Sequence, residues 1–213
     1  MGVKLFSSIF YKLDLKWLGG SKDFEGARLV IFLNHTSLYE PLFLRAAPNR
    51  FLWTLAQKMI APAADKTLNR PVVGKFWKVM FPGLISITRK RDKSWFDFLK
   101  SIENKRIIII APEGRMKRRS GLDSHDKPMS VRSGVAEIIS ELNEGELIFA
   151  YSGGLHHVQH PGQLYPRLFK RIKLNLEKID IPTYKNQFNS EGIQFRKDVV
   201  ADLEMRIRNK CPS

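Results

Sequence analysis

The chain has 213 residues, and 36 lysines and arginines against 21 aspartates and glutamates give it a net charge of +15. An excess of this size favours an anionic partner, which could be nucleic acid, an anionic membrane surface or a phosphorylated small molecule. The 43% hydrophobic content excludes extensive disorder, and the length suffices for one domain with its own core. A single cysteine, Cys211, excludes an intrachain disulfide and a cysteine-based metal site. No run of about 18 apolar residues is present, so we expect no transmembrane helix.

The first segment of the chain is amphipathic, and its spacing predicts a helix over residues 3–18. Large apolar side chains beside lysines are typical of a helix at the membrane interface. A helix docked on its own domain gives the same pattern and is the commoner case, so both interpretations stay open. The apolar positions that recur every four residues are Leu5, Ile9, Leu13 and Trp17.

Strand-like and helix-like segments alternate along the rest of the chain. Because the apolar strands look buried on both faces, the pattern predicts an α/β fold with a largely parallel central sheet flanked by helices. We therefore divide the chain into an amphipathic membrane-interface helix, residues 1–20, and a single α/β domain, residues 21–213. The predicted strands are 27–33, 51–55, 84–88, 106–111, 147–151 and 168–179, the last a candidate antiparallel strand. The predicted helices are 38–47, 94–103, 131–142 and 188–210, with a basic loop at 115–128.

Polar and charged residues that could take part in catalysis or binding follow three of the predicted strands. In open α/β sheets, active groups gather beyond the carboxyl ends of the strands, so we expect these three ends to converge. The first end carries His35 and Glu40. The second carries Thr88 and Arg89, and the third carries Glu113, Gly114 and Arg115.

His35 is the candidate general base, with the Glu40 carboxylate five residues on. A carboxylate can fix the tautomer of a histidine and stabilise the imidazolium as it forms. No serine stands in a G-x-S-x-G context, so the base would activate a hydroxyl of the substrate. The alternative is structural, because Ser37 and Glu40 also have the spacing of a helix capping box.

Glu113, Gly114 and Arg115 form a candidate anion site. Arginine gives paired hydrogen bonds to phosphate, and glycine lets the backbone come close to a ligand. The alternative is a turn after a strand followed by a solvated basic loop.

Taken in order, these segments resemble the 1-acylglycerol-3-phosphate acyltransferase family, glycerolipid acyltransferases with a His-x4-Asp motif. The family block Asn-His-x-Ser-x-x-Asp matches residues 34–40, and the apolar strand ending in Arg matches residues 85–89. The block Phe-Pro-Glu-Gly-Thr-Arg-Ser is similar to residues 111–117. The basic residue-x-Gly segment that opens a helix is similar to residues 131–135. The resemblance covers roughly residues 28–152, and the ordered set of blocks is more specific than any one of them.

The resemblance implies transfer of a fatty acyl group from a thioester to a lysophospholipid such as 1-acylglycerol-3-phosphate. His35 would deprotonate the acceptor hydroxyl and Glu40 would orient His35. Asn34 and Ser37 belong to the substrate-binding block. The residues on the phosphate side of the acceptor would be Arg89, Glu113, Gly114 and Arg115. Acyl-CoA or acyl carrier protein would be the co-substrate, with no other cofactor and no metal. The enzyme would work at the cytoplasmic face of a membrane, as a peripheral or monotopic protein on an anionic surface.

The chain departs from the family blocks at three points. Glu40 replaces the usual Asp and adds one methylene. The Thr-Arg-Ser end of the third block is missing, so Arg115 comes one place early. The fourth block, residues 148–152, lacks the family's proline. The last two departures leave room for a lysolipid other than lysophosphatidic acid.

Two other classes of protein fit parts of the sequence. A non-catalytic relative that binds lipid or acyl carrier protein fits the change to Glu40 and the basic surface. A nucleic-acid-binding protein fits the charge alone, because no helix-turn-helix, zinc-finger or RRM pattern is present, and we do not expect nucleic acid as a partner. The four histidines other than His35 are interpreted as solvated loop residues, not as metal ligands. They are His125, His156, His157 and His160.

Overall fold

Seven strands form one sheet in the computed structural model of the chain. The structure describes residues 1–69, 71, 73–88, 91–102, 106–123, 125–160, 163 and 165–212. The strand order across the sheet is β1-β7-β6-β2-β5-β3-β4. The strands are β1 (Tyr11–Trp17), β2 (Ala27–Leu33), β3 (Met59–Ala64), β4 (Leu84–Ile87), β5 (Ile107–Ile110), β6 (Glu146–Ser152) and β7 (Lys170–Asp180).

The pairing confirms the predicted sheet. Every neighbouring pair is parallel except β6 and β7, which are antiparallel. The last predicted strand, 168–179, therefore does run antiparallel to one neighbour, β6, while it is parallel to the other, β1. Strand β2 lies at the centre between β5 and β6, so the residues that follow β2 and β5 meet at one edge of the sheet.

Helices cover both faces of the sheet, as the alternating pattern predicts. A 3-10 helix, Glu40–Ala46, follows β2 where a helix over 38–47 was predicted. The α-helices are α1 (Gly2–Phe10), α2 (Asn49–Lys58), α3 (Asp65–Leu68), α4 (Val73–Met80), α5 (Lys93–Lys100), α6 (Gly134–Glu141), α7 (Ile181–Lys185) and α8 (Gly192–Lys210).

The helix predicted over residues 3–18 is wrong in its second half. Helix α1 ends at Phe10, and β1 then pairs with β7 as an edge strand of the sheet. A spacing of four residues is a multiple of two, so it fits a strand as well as a helix. The division into a separate helix over residues 1–20 and a domain over residues 21–213 is also wrong, because β1 belongs to the sheet of that domain.

The strand predicted over 51–55 is also wrong, because these residues lie in α2. Pro48 stands at the N-cap, where its fixed φ suits a helix start. Phe51 and Leu55, four residues apart, pack on one side of this helix against the small cluster around Met59.

The two faces of the sheet have different coverings. Leu29, Ile31 and Leu33 of β2 face the main core, which α5, α6, α7 and α8 complete. Val30 and Phe32, the alternate positions, face a second layer made by α1 and the 3-10 helix. Residues 34–40, which carry His35 and Glu40, follow β2 directly and therefore lie between these two layers.

Candidate active site

The turn after β2 presents His35 at the carboxyl edge of the sheet. Asn34 has a left-handed backbone with φ 65°, which asparagine tolerates better than most residues. Its side-chain amide donates to the Ser152 carbonyl at 2.9 Å, which ties the turn to the end of β6. The turn therefore presents the imidazole at the carboxyl edge of the sheet.

Glu40 contacts both the ring of His35 and the backbone of the turn. Its Oε2 atom contacts His35 Nδ1. Its Oε1 atom accepts from the Thr36 amide at 2.7 Å and from the Ser37 amide at 3.3 Å. One carboxylate thus contacts the histidine ring and accepts from the amides before the 3-10 helix. The geometry is therefore compatible with both predicted roles of Glu40, orienting His35 and capping the helix. The extra methylene of glutamate gives the carboxylate reach for both contacts.

The environment of His35 favours its protonated form. Burial alone lowers the pKa of the imidazole, but the charge and hydrogen bond of Glu40, with the charge of Glu113, raise the pKa above its ordinary value. The neutral ring of a histidine with a raised pKa is a stronger base than free imidazole. Because Nδ1 faces Glu40, the Nε2 atom is the one that can take a proton from a substrate.

Glu113 lies under the turn and holds its backbone. Oε1 accepts from the Asn34 amide at 2.8 Å and Oε2 accepts from the His35 amide at 2.7 Å. Burial raises the pKa of this carboxyl above its ordinary value even though the two amides lower it. Both oxygens are thus occupied by backbone donors in a side chain that is 5% exposed. In this arrangement Glu113 positions His35.

Gly114 and Arg115 continue from Glu113 into the basic loop. The Gly114 amide donates to the Ala111 carbonyl at 3.0 Å, and its positive φ of 63° is a conformation that glycine adopts without strain. The Arg115 guanidinium contacts the buried Asp123 carboxylate. The other oxygen of Asp123 accepts from the His125 and Lys127 amides, so Arg115 fixes the loop in place. A guanidinium already paired in this way has less to offer a phosphate.

Ser37 is likewise engaged within the protein. Its hydroxyl donates to Gln159 Oε1 at 2.9 Å and accepts from the Tyr39 amide at 3.2 Å. Of the predicted site residues, the structure thus brings together Asn34, His35, Ser37, Glu40 and Glu113. Of these, Glu40 contacts the His35 ring and Glu113 accepts from the His35 amide.

Arg89, a predicted phosphate ligand, lies outside the described residues. Strand β4, which precedes it, is an edge strand and lies three positions from β2 in the sheet. At about 4.8 Å per strand, the end of β4 is on the order of 14 Å from the end of β2. The first and third strand ends meet as predicted, whereas the second strand end is set apart from them.

The loop after β6 supplies contacts that the sequence motifs did not indicate. The Leu155 amide donates to Thr36 Oγ1 at 2.8 Å. His156 Nε2 lies 2.6 Å from the Lys117 carbonyl, and the Lys117 amide donates to the His35 carbonyl at 2.7 Å. The interpretation of all four loop histidines as solvated residues is therefore wrong for His156, which is half-buried. No local pattern marks such contacts, because they join segments more than 35 residues apart.

An apolar cavity of about 330 Å³ opens beside His35. It lies between the second face of the sheet and the layer made by the 3-10 helix, α2 and α4. Among the described residues that line it, His35 and Glu40 are the ionisable ones. The apolar lining includes Phe24, Val30, Phe32, Phe43, Phe51, Trp77, Phe81 and Leu176.

The fold and the site define an α/β protein whose histidine–carboxylate pair faces an apolar cavity. The sequence profile of the Acyltransferase family matches residues 19–156. The chain belongs to the Acyltransferase family. No curated protein matches it significantly in sequence.

A solved structure supports the same fold. It is the crystal structure of the 1-acyl-sn-glycerophosphate (LPA) acyltransferase PlsC from Thermotoga maritima. The TM-score is 0.57 at 15% sequence identity, and the alignment covers 100% of this chain and 80% of that chain. At this identity the likeness shows a shared fold.

Proposed function

We propose that the protein transfers a fatty acyl group from a thioester, acyl-CoA or acyl carrier protein, to the free hydroxyl of a lysophospholipid. The observation that carries the proposal is the apolar cavity with His35 and Glu40 in its lining. An acyl chain in the cavity would bring its thioester to the imidazole, which is the proximity that acyl transfer needs.

The geometry suits a direct transfer between the two substrates. His35 Nε2 takes the proton of the acceptor hydroxyl while Glu40 stabilises the imidazolium. The hydroxyl oxygen attacks the thioester carbonyl, the carbon–sulfur bond breaks, and the leaving thiolate takes the proton from His35. The products are an ester and a free thiol, so the histidine returns to its starting state.

The acceptor that we propose is a lysophospholipid such as 1-acylglycerol-3-phosphate, which places the reaction in phospholipid biosynthesis or remodelling. Support comes from the Acyltransferase family membership, and the named activity of the structurally similar PlsC points the same way. The net charge of +15 suits a phosphorylated acceptor and an anionic thioester donor.

We also propose that the protein works on the surface of an anionic membrane, as a peripheral or monotopic protein on its cytoplasmic face. Helix α1 exposes Leu5 and Ile9 at 63% and 59% of their area. Phe169, 76% exposed, lies against Phe10 at the end of the same helix with ring centroids 5.7 Å apart. Exposed apolar side chains beside lysines favour an interfacial location. Within the described ranges, no helix is long and apolar enough to cross a bilayer.

The experiment is an acyl-transfer assay with purified protein in detergent. Lysophosphatidic acid and lysophospholipids with other head groups are each combined with acyl-CoA and with acyl carrier protein donors, and the diacyl product is measured. Transfer to at least one lysophospholipid supports the proposal and identifies donor and acceptor. Binding of lysolipid without any transfer would instead favour a non-catalytic lipid-binding relative.

A further inference from the structure

A group of basic side chains lies on the loops beside residues 34–40, which we call the catalytic turn. We call it the cationic cluster and define it as Arg119, His156, His160 and Arg167. The His156 and His160 rings are nearly parallel, with centroids 6.2 Å apart. Burial first, and then the charges of Arg119, Arg167 and His156, lower the pKa of His160 below its ordinary value.

Contacts to the backbone bring together the loops that carry these side chains. The Arg167 amide donates to the Val158 carbonyl at 2.7 Å, so the chain returns to the loop that carries the histidines. His156 Nε2 contacts the Lys117 carbonyl, which joins that loop to the basic loop carrying Arg119. The cluster is therefore built by the fold from two loops that are about 40 residues apart.

The cluster lacks the counter-charges that neighbouring arginines have. Arg115 contacts Asp123, and Arg118 lies 3.7 Å from Asp126. Among the residues that the structure describes, no carboxylate pairs with Arg119, Arg167 or His160. Like charges held near one another without a carboxylate repel, and an anion bound between them removes that cost.

The position of the cluster relates it to the reaction. Gln159, which precedes His160, accepts the hydrogen bond of Ser37 from the catalytic turn. Lys117, whose carbonyl His156 contacts, donates its amide to the His35 carbonyl. No member of the cluster lines the apolar cavity. An anion in the cluster and an acyl chain in the cavity would thus be held in different places beside one histidine.

We propose that Arg119, His160 and Arg167 bind the phosphate group of a substrate. Two guanidinium groups offer forked hydrogen bonds to phosphate oxygens, and the imidazole offers one further donor when protonated. His160 and Arg167 lie beyond residues 19–156, the part matched by the family profile. The assignment to a substrate rests on the proposed acyl transfer. The phosphate could belong to the lysophospholipid head group or to the thioester donor, and the experiment distinguishes these two.

The first arm of the experiment measures binding without turnover. Inorganic phosphate and glycerol 3-phosphate are titrated into the full chain, and the ring-proton resonances of His160 are followed, with glycerol as the uncharged control. We expect saturable shifts with both anions and roughly tenfold weaker binding in Arg119→Gln and in Arg167→Gln. The matched control is Arg118→Gln, which removes the same charge from the same loop at a residue paired with Asp126. An equal loss in the control, or no loss in the two cluster variants, would overturn the proposal.

The second arm measures steady-state kinetics of the same variants. A KM raised about tenfold for the lysophospholipid with an unchanged donor KM assigns the site to the acceptor phosphate. A raised KM for the donor assigns it to the donor's phosphate. Unchanged values for both substrates would refute a substrate site. If no substrate pair turns over at all, acyl transfer itself fails, and the binding arm still decides whether the cluster holds phosphate.

Discussion

The carboxylate of Glu40 has two sets of partners at the catalytic turn. It contacts the His35 ring through one oxygen and the amides of Thr36 and Ser37 through the other. An aspartate is one methylene shorter, so it could not make all these contacts from the same backbone position. The substitution of Glu for the family's Asp is therefore matched to this turn.

Glu40→Gln should lower kcat roughly hundredfold with little change in thermal stability. The glutamine oxygen can still accept from the backbone amides, but its NH2 group would donate to His35 Nδ1. That contact places the ring proton on Nε2, which is the nitrogen that must accept a proton. The measurement is kcat together with the melting temperature, and an unchanged kcat at an unchanged melting temperature would mean that Glu40 only caps the turn.

The pH profile of the wild-type enzyme should rise through the pKa of His35. Because that pKa is raised and the neutral ring is the base, kcat/KM should increase with pH and level off only above the ordinary histidine value of 6.5. Residual activity of Glu40→Gln should rise at lower pH, since a charge that raises the pKa is removed. A plateau of kcat/KM that is already reached below pH 6.5 in the wild type would contradict the assignment of His35 as a base paired with Glu40.

Glu113→Gln tests whether this residue positions His35 or binds substrate. Its NH2 group would face one of the two backbone amides, which leaves two donors opposed and should cost about 1–3 kcal/mol of folding free energy. We expect a lower melting temperature and a lower kcat with an unchanged acceptor KM, measured by thermal unfolding and steady-state kinetics. A raised acceptor KM at full stability would show that Glu113 contacts the substrate.

At the scale of elements, the hydrophobic pattern predicts those strands and helices whose type is determined by the local sequence. Strands β2, β5 and β6 were predicted within one or two residues because each is a continuous apolar run. The spacing of four residues in the segment 11–17 fits the helical period and the strand period alike, so it does not distinguish a helix from a strand. Pairing with β7 makes this segment a strand. The segment 51–55 was assigned to a strand because five residues are too few to show a helical period.

The same holds for the site: residues marked by the local sequence could be predicted, whereas contacts between distant segments could not. His35, Glu40 and Glu113 could be predicted, since each follows a recognisable strand. The pairing of Arg115 with Asp123 could not, because a basic run gives no sign of which cations find a carboxylate. Gln159 and His156 were missed because their partners lie on segments distant in the sequence.

The exposed apolar side chains of α1 lead us to expect that this helix contacts the membrane. Replacing Leu5 and Ile9 together with Gln should weaken partition onto anionic vesicles roughly tenfold or more, because two exposed apolar side chains would no longer be buried in the interface. Vesicle co-sedimentation measures the partition. Val79→Gln, at an 82% exposed apolar residue away from α1, is the control. Equal loss in the control, or full binding by the double variant, would argue against α1 as the contact surface.

At the scale of the whole molecule, the main core and the cavity beside His35 lie on opposite faces of the sheet. The face covered by α5, α6 and α8 holds the larger core, whereas the opposite face leaves a cavity beneath the catalytic turn. The cationic cluster lies beside the turn, and helix α1, with its exposed apolar side chains, lies at the edge of the same sheet. This arrangement suits an enzyme whose substrates are partly apolar and partly anionic.

The cavity should set which acyl chains are accepted. Val30 lines it at the middle of β2, deeper than His35. Val30→Phe would fill this depth, so kcat/KM for long-chain donors should fall roughly tenfold relative to short-chain donors. Val30→Ala, which enlarges the same space, should keep the long-chain activity. A uniform change for all chain lengths in Val30→Phe would mean that the acyl chain does not enter this cavity.

The central claim, that His35 is the base of an acyl transfer, is tested most directly by comparing His35→Ala with His157→Ala. His157 is an exposed loop histidine whose ring contacts the Arg171 carbonyl. Formation of diacyl product from a thioester donor and a lysophospholipid is measured for both purified variants at equal folded fraction. We predict a loss of at least roughly hundredfold in kcat for His35→Ala and wild-type turnover for His157→Ala. Wild-type turnover in His35→Ala would contradict the account.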